Sequence, residues 1–105
     1  MMNINKSEYQ MVVCVVNTGF SPLVMEAARS AGARGGTIVH GRGTANSEAE
    51  KLFQIVVQPD KEIVLIIVKN DIKDAVMLAI NEQTGLNTEG QGIAFSLPID
   101  RTIGL

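Results

Sequence analysis

The chain lacks tryptophan and has one tyrosine, Tyr9, and three phenylalanines. Stacking platforms for single-stranded bases are therefore nearly absent. Nine Lys and Arg stand against eleven Asp and Glu, for a net charge of −2. A general nucleic-acid binder normally shows a basic stripe instead, so no nucleic-acid partner is expected. The single cysteine, Cys14, excludes an internal disulfide and suits a reducing, cytoplasmic setting. Its place in an apolar run reads as a small buried hydrophobe. With one histidine, His40, and one distant cysteine, the chain has too few nitrogen and sulfur ligands for a metal site. The longest purely apolar run, residues 63–68, is far too short to span a bilayer, so no membrane insertion is expected. The polar start MMNINKSEYQ has no apolar signal-peptide region. No carboxylate pair beside a base and no Ser/His/Asp constellation can be defended, so an enzyme is not expected.

The hydrophobic content is 46% over 105 residues, which fits one domain spanning 1–105. A core of that size is modest, and oligomerisation would add to it. Residues 35–44 read GGTIVHGRGT. The β-branched Thr37, Ile38 and Val39 form a strand signal framed by glycines. Gly41, Arg42, Gly43 and Thr44 then read as bare backbone at the strand's end, with one fixed positive charge. Glycine lets backbone N–H groups approach an anion, and the Arg42 guanidinium is a planar fork suited to phosphate or carboxylate. The string is no P-loop, because the GK[ST] pattern is missing. His40 reads as a satisfied strand-end histidine, with ligand contact as the alternative.

Elsewhere, MVVCVV (11–16) is a continuous apolar strand. Ser21 as N-cap and Pro22 at the first helical position open a helix, with Leu23, Val24, Ala27, Ala28 and Ala31 on one stripe and Gly32 as its stop. Ser47 and Glu50 form either a capping box or part of a solvated loop. FQIVV (53–57) is strand-like, residues 58–60 turn, and EIVLIIV (62–68) is the strongest strand signal. Asn70-Asp71 caps a second helix carrying Ile72, Ala75, Val76, Ala79 and Ile80, which Gly85 ends. A last strand follows over 93–99, limited by Pro98, and the tail 100–105 either packs or frays.

The order is β-α-β-loop-β-α-β, with a second glycine turn, Gly90-Gln91-Gly92, at the equivalent point of the second half. It predicts an α+β, ferredoxin-like βαββαβ fold, a four-stranded antiparallel sheet with two helices on one face. The strands at 11–16 and 63–68 are apolar on both sides, so the open sheet face is expected to be covered by another copy of the chain. The polar stretch between strands two and three, about 42–58, is long for a compact domain, and such loops are often functional.

This order, the Gly41-Arg42-Gly43 opening of a long loop, and Gly90-Gln91-Gly92 before Ile93 resemble the PII signal-transduction family, as a divergent PII-like member. The resemblance covers nearly the whole chain. It implies a homotrimer with adenine nucleotide (ATP, ADP or AMP type) in the clefts between subunits. It also implies a long T-loop reaching partner proteins, often membrane transporters of nitrogen or carbon compounds. By position, Gly41, Arg42, Gly43 and Thr44 match the start of the T-loop, and Gly90, Gln91 and Gly92 match the turn across the cleft. Three cations of the family's phosphate clamp are missing. Ile93 stands at the lysine position, Gly104 at the first C-terminal arginine position, and the chain reaches Leu105 before the second. Arg101 is close but offset. Losing three charge-assisted partners argues against the usual triphosphate mode, leaving Arg42, with Arg101 or Arg34, for a smaller anion, a less-charged nucleotide or no ligand. The loop also lacks the tyrosine that some members modify.

Three functions compete: a ligand-responsive regulator, a ligand-independent trimeric adaptor, and a metal-binding protein of the related divalent-cation-tolerance type. The scarcity of Cys and His argues against the last.

Overall fold

In the computed structural model, residues 5–6, 8–44, 59–86 and 92–105 are described. The elements are β1 (Asn5–Lys6), β2 (Tyr9–Asn17), α1 (Ser21–Ser30), β3 (Thr37–Arg42), β4 (Asp60–Lys69), α2 (Lys73–Thr84), β5 (Gly92–Pro98) and β6 (Arg101–Thr102). The four long strands form one antiparallel sheet in the order β3-β4-β2-β5, the expected α+β ferredoxin-like arrangement. The predicted segments 53–57 and 47–50 lie outside the described residues.

The two most apolar runs take the two central places, where both strand edges are paired. Strand alternation then sorts their side chains. Val12, Cys14 and Val16 of β2 and Val64, Ile66 and Val68 of β4 face the helices. There they form one core with Val24, Ala27 and Ala28 of α1 and Val76 and Ile80 of α2. Each fully buried Val or Ile contributes about 1.5–3 kcal/mol over leaving it in water. The alanines carry no bulk beyond Cβ, which suits close seating of α1 on the sheet.

Gly32 ends α1 as predicted, with φ +109. Ala33 N–H donates to Ala28 and Gly32 N–H to Arg29, the paired bonds of a Schellman motif. Gly85 closes α2 in the left-handed region at φ 68. The helix starts differ from the sequence reading. Ser21 is already helical, Phe20 stands at the N-cap, and no local side chain caps α1. The carboxylate that takes this role comes from β4, as described below. In α2, Ile72 holds the N-cap position, again without a side-chain cap, so Asn70-Asp71 belongs to the preceding turn.

β3 starts at Thr37, and it runs on through Gly41 and Arg42, which pair with Lys61 and Asp60. Gly36 lies under α1, where an added Cβ would sit 2.9 Å from the Met25 sulfur. Part of the tail is paired: β6 joins β1 in a separate two-stranded ribbon, Asn5 opposite Thr102 and Lys6 opposite Arg101, while Ile103 and Leu105 beyond it are exposed.

The other sheet face is apolar in rows. Val39, Ile63, Val15 and Ile93 lie side by side; Leu65, Val13 and Phe95 form the next row, and Ile67, Met11 and Leu97 the third. Ile93 is 58% exposed and Phe95 40%. A contiguous apolar face of this kind marks an interaction surface.

Candidate functional site at the loop end of the sheet

Cross-strand pairing sets one row from edge to edge of the sheet: His40, Glu62, Val16 and Gly92. Gly41, Lys61 and Asn17 form the row beyond it, and Arg42 opposite Asp60 ends the β3–β4 ladder. Gly43 N–H donates to the Pro59 carbonyl at 2.6 Å, closing the base of the excursion between the two strands.

The expectation of bare backbone at residues 41–43 is therefore corrected. Gly41 and Arg42 are held in a ladder, and the Gly43 amide is spent on Pro59. Gly43 is small for another reason: an added Cβ would lie 3.0 Å from the Lys61 Cε. Arg42 and Thr44 remain exposed. An exposed guanidinium at a strand end suits recognition of an anion by its fork of donors.

Glu62 was not singled out from the sequence, yet it is the best-bonded acid of this corner. Its residue is 7% exposed. One carboxylate oxygen accepts Gly19 N–H at 2.7 Å and Ser21 N–H at 3.3 Å. The negative charge thus sits at the start of α1, where backbone donors lack helical partners and the helix dipole is positive. The Gly19 hydrogen bond is the main cause of a pKa below the ordinary glutamate value. Burial opposes the shift, while Ser21 and the charge of His40 reinforce it. The signal was present in the chain: Glu62 shares the parity of Val64, Ile66 and Val68, so a strand pointing those into the core points the glutamate there too.

Lys61 points the opposite way and donates from Nζ to Asn17 Oδ1 at 2.5 Å. Thr18 N–H reaches the Asp60 carbonyl at 3.3 Å.

The predicted site residues fall in three places. Gly41, Arg42, Gly43 and Thr44 share the corner at the end of β3. Gly92 opens β5 at the same end of the sheet but on the opposite edge, with φ +131; three strand spacings, about 14 Å, separate the two edges. Gly90 and Gln91 lie outside the described residues. Arg101 sits in β6, past the far end of β5, which is about 20 Å long. Its side chain is 61% exposed and lies 3.9 Å from Asp100. Ile93 follows Gly92 on the open face, and Gly104 lies in the tail at φ +93. Cys14 is buried in the core, and burial pushes its thiol up to about 11. Among the described residues, no group of three or more His, Cys, Asp or Glu stands together as a metal site. Also among them, no helix is long and apolar enough to cross a membrane.

No protein-family model matches the sequence, and no curated protein matches it significantly. Among solved structures, the chain is similar to PII from Arabidopsis thaliana in a crystal structure bound to citrate. The identity is 28% and the TM-score 0.67, over 90% of this chain and 79% of that one. The chain therefore has a PII-like fold.

Proposed function

We propose that this chain is a PII-like regulatory protein, not an enzyme. In this reading it assembles as a homotrimer through its open sheet face. It takes a small anion in the clefts between subunits and acts on a protein partner, such as a membrane transporter, through the T-loop-like segment 42–58. The observation that carries the reading is the likeness to PII over 90% of the chain. The site geometry agrees with a cleft between copies: Arg42 and Gly92 occupy opposite edges of one sheet, about 14 Å apart, so a small anion touching both would lie between two chains. Gly41, Arg42, Gly43, Thr44, Gly90, Gln91 and Gly92 would line it, and Arg101, remote within one chain, would have to come from another copy.

The ligand is either an adenine nucleotide or a small carboxylate. Ile93 and Gly104 supply no charge where a triphosphate would need it, which favours AMP-like or carboxylate anions. The related PII structure contains citrate, and a carboxylate fits the fork of Arg42. Calorimetry of the assembled protein with ATP, ADP, AMP, cyclic nucleotides and citrate tests this reading. One of them should bind with a single site per subunit, and Arg42→Ala should weaken it. No binding at millimolar concentration overturns the ligand half.

A second reading, a trimeric adaptor that docks without ligand, is favoured by the closure of the Gly43 amide onto Pro59. Pull-down of a partner that is insensitive to every ligand in the panel would select it.

A further inference from the structure

We infer that Lys61 and Glu62 form a two-sided latch coupling the paired ends of β3 and β4 to the start of α1. Three consecutive residues of β4 are bonded to one short stretch of chain. The Asp60 carbonyl accepts Thr18 N–H, Lys61 Nζ donates to Asn17, and Glu62 accepts Gly19 and Ser21 N–H. Strand alternation sends Lys61 to one face of the sheet and Glu62 to the other, so the β2–α1 turn is gripped from both sides. On the strand side, the Lys61 stem covers Gly43, and Gly43 is bonded to Pro59, the residue before β4.

The grip is cooperative for an electrostatic reason. Glu62 is buried, and among the described residues no Lys or Arg is hydrogen-bonded to it. Its charge is answered by the Gly19 and Ser21 N–H groups, the Ser21 hydroxyl, the helix start and the cross-strand His40. Sliding the first residues of β4 away from the turn strands a buried carboxylate and orphans amides at the helix start, and both are costly. The strand ends and the helix start therefore move together or not at all. Any force on the ends of β3 and β4, from a ligand or a partner, reaches α1 through this contact, and the reverse holds by reciprocity. The latch belongs to a single chain and stands whether or not an anion occupies the corner.

Amide hydrogen exchange on the full chain tests it. Asn17→Ala removes the acceptor of Lys61 Nζ; Glu62→Gln keeps the side chain's shape but removes its charge. Each should speed exchange at Gly19 and Ser21, and also, across β4, at the Gly43 amide, which is bonded to Pro59, by about tenfold or more. The Val76 amide of α2, bonded to Ile72, should be unaffected. If Gly43 keeps its protection while Gly19 and Ser21 lose theirs, Glu62 is merely a local cap and the latch is wrong. Equal acceleration at Val76 would mean general loosening and would overturn it as well.

Discussion

Gly92 lies against Val15 so closely that a Cβ on the glycine would overlap the Val15 carbonyl oxygen, and Val16 Cα and Leu86 crowd the same point. The backbone there has φ +131, a region that side chains rarely enter. Gly92→Ala should therefore cost about 2–4 kcal/mol, from strain and overlap together. Gly19 also has positive φ, at +100, but nothing lies within 4 Å of its Cβ position. Gly19→Ala should cost less, about 1–2 kcal/mol. Urea unfolding of the two variants side by side measures the difference.

Acid should act through Glu62. Its native pKa lies below the ordinary value of 4.5, with the Gly19 hydrogen bond as the first cause. A carboxylate with a lowered native pKa contributes stability above its unfolded value and loses it as pH falls through the native one. Wild type should thus melt higher than Glu62→Gln at pH 7, and the gap should close as pH falls below 4.5 and through the lowered native value. A gap that is constant with pH would assign the loss to packing instead of charge.

The open sheet face should fail under a buried charge. Phe95 sits mid-face beside Val13, and if that face is the proposed subunit interface, Phe95→Asp should leave a monomer near 11.3 kDa by light scattering where wild type is larger. Far-ultraviolet dichroism should keep its helical signal, because the helix-facing core is untouched.

Arg42→Ala should weaken any bound anion by roughly 10–100-fold, the range expected for loss of charge-assisted hydrogen bonds. Arg101→Ala discriminates the assembly: it should weaken the same anion only if a neighbouring copy brings that residue to the cleft. Titration calorimetry reads both.

Cys14 should resist thiol reagents in the native protein. It is fully buried, and its thiol holds its proton up to about 11. At pH 8 the thiolate that reacts is scarce and enclosed, so labelling should appear only on unfolding.

Much of the fold was legible because its signals are local. The apolar runs at 11–16 and 63–68 became the central strands, and Gly32 and Gly85 ended their helices, since only glycine enters those backbone regions cheaply. What depends on distant partners was not legible. Ser21 looked like a cap, but an acid forty-one residues away in the chain does the capping. Gly41 and Arg42 looked like loop until β4 offered Lys61 and Asp60 as ladder partners. The β1–β6 ribbon joins two short polar segments with no periodicity to announce it. The candidate residues 41–44, Gly92 and Arg101 were named from the sequence; that 41–44 and Gly92 stand on opposite edges of one sheet, and that Arg101 lies past its other end, needed the sheet order.

The placing of Arg42 and Gly92 on opposite edges of one sheet has a thermodynamic consequence. In the proposed cleft, a small anion held by Arg42 of one chain and Gly92 of another would bind only associated chains, so its affinity and the self-association constant would be linked. Dilution should release it without any change in the residues that touch it, and adding it should draw dilute chains together. Occupancy in such a protein reports on how much of the protein is present as well as on how much ligand there is.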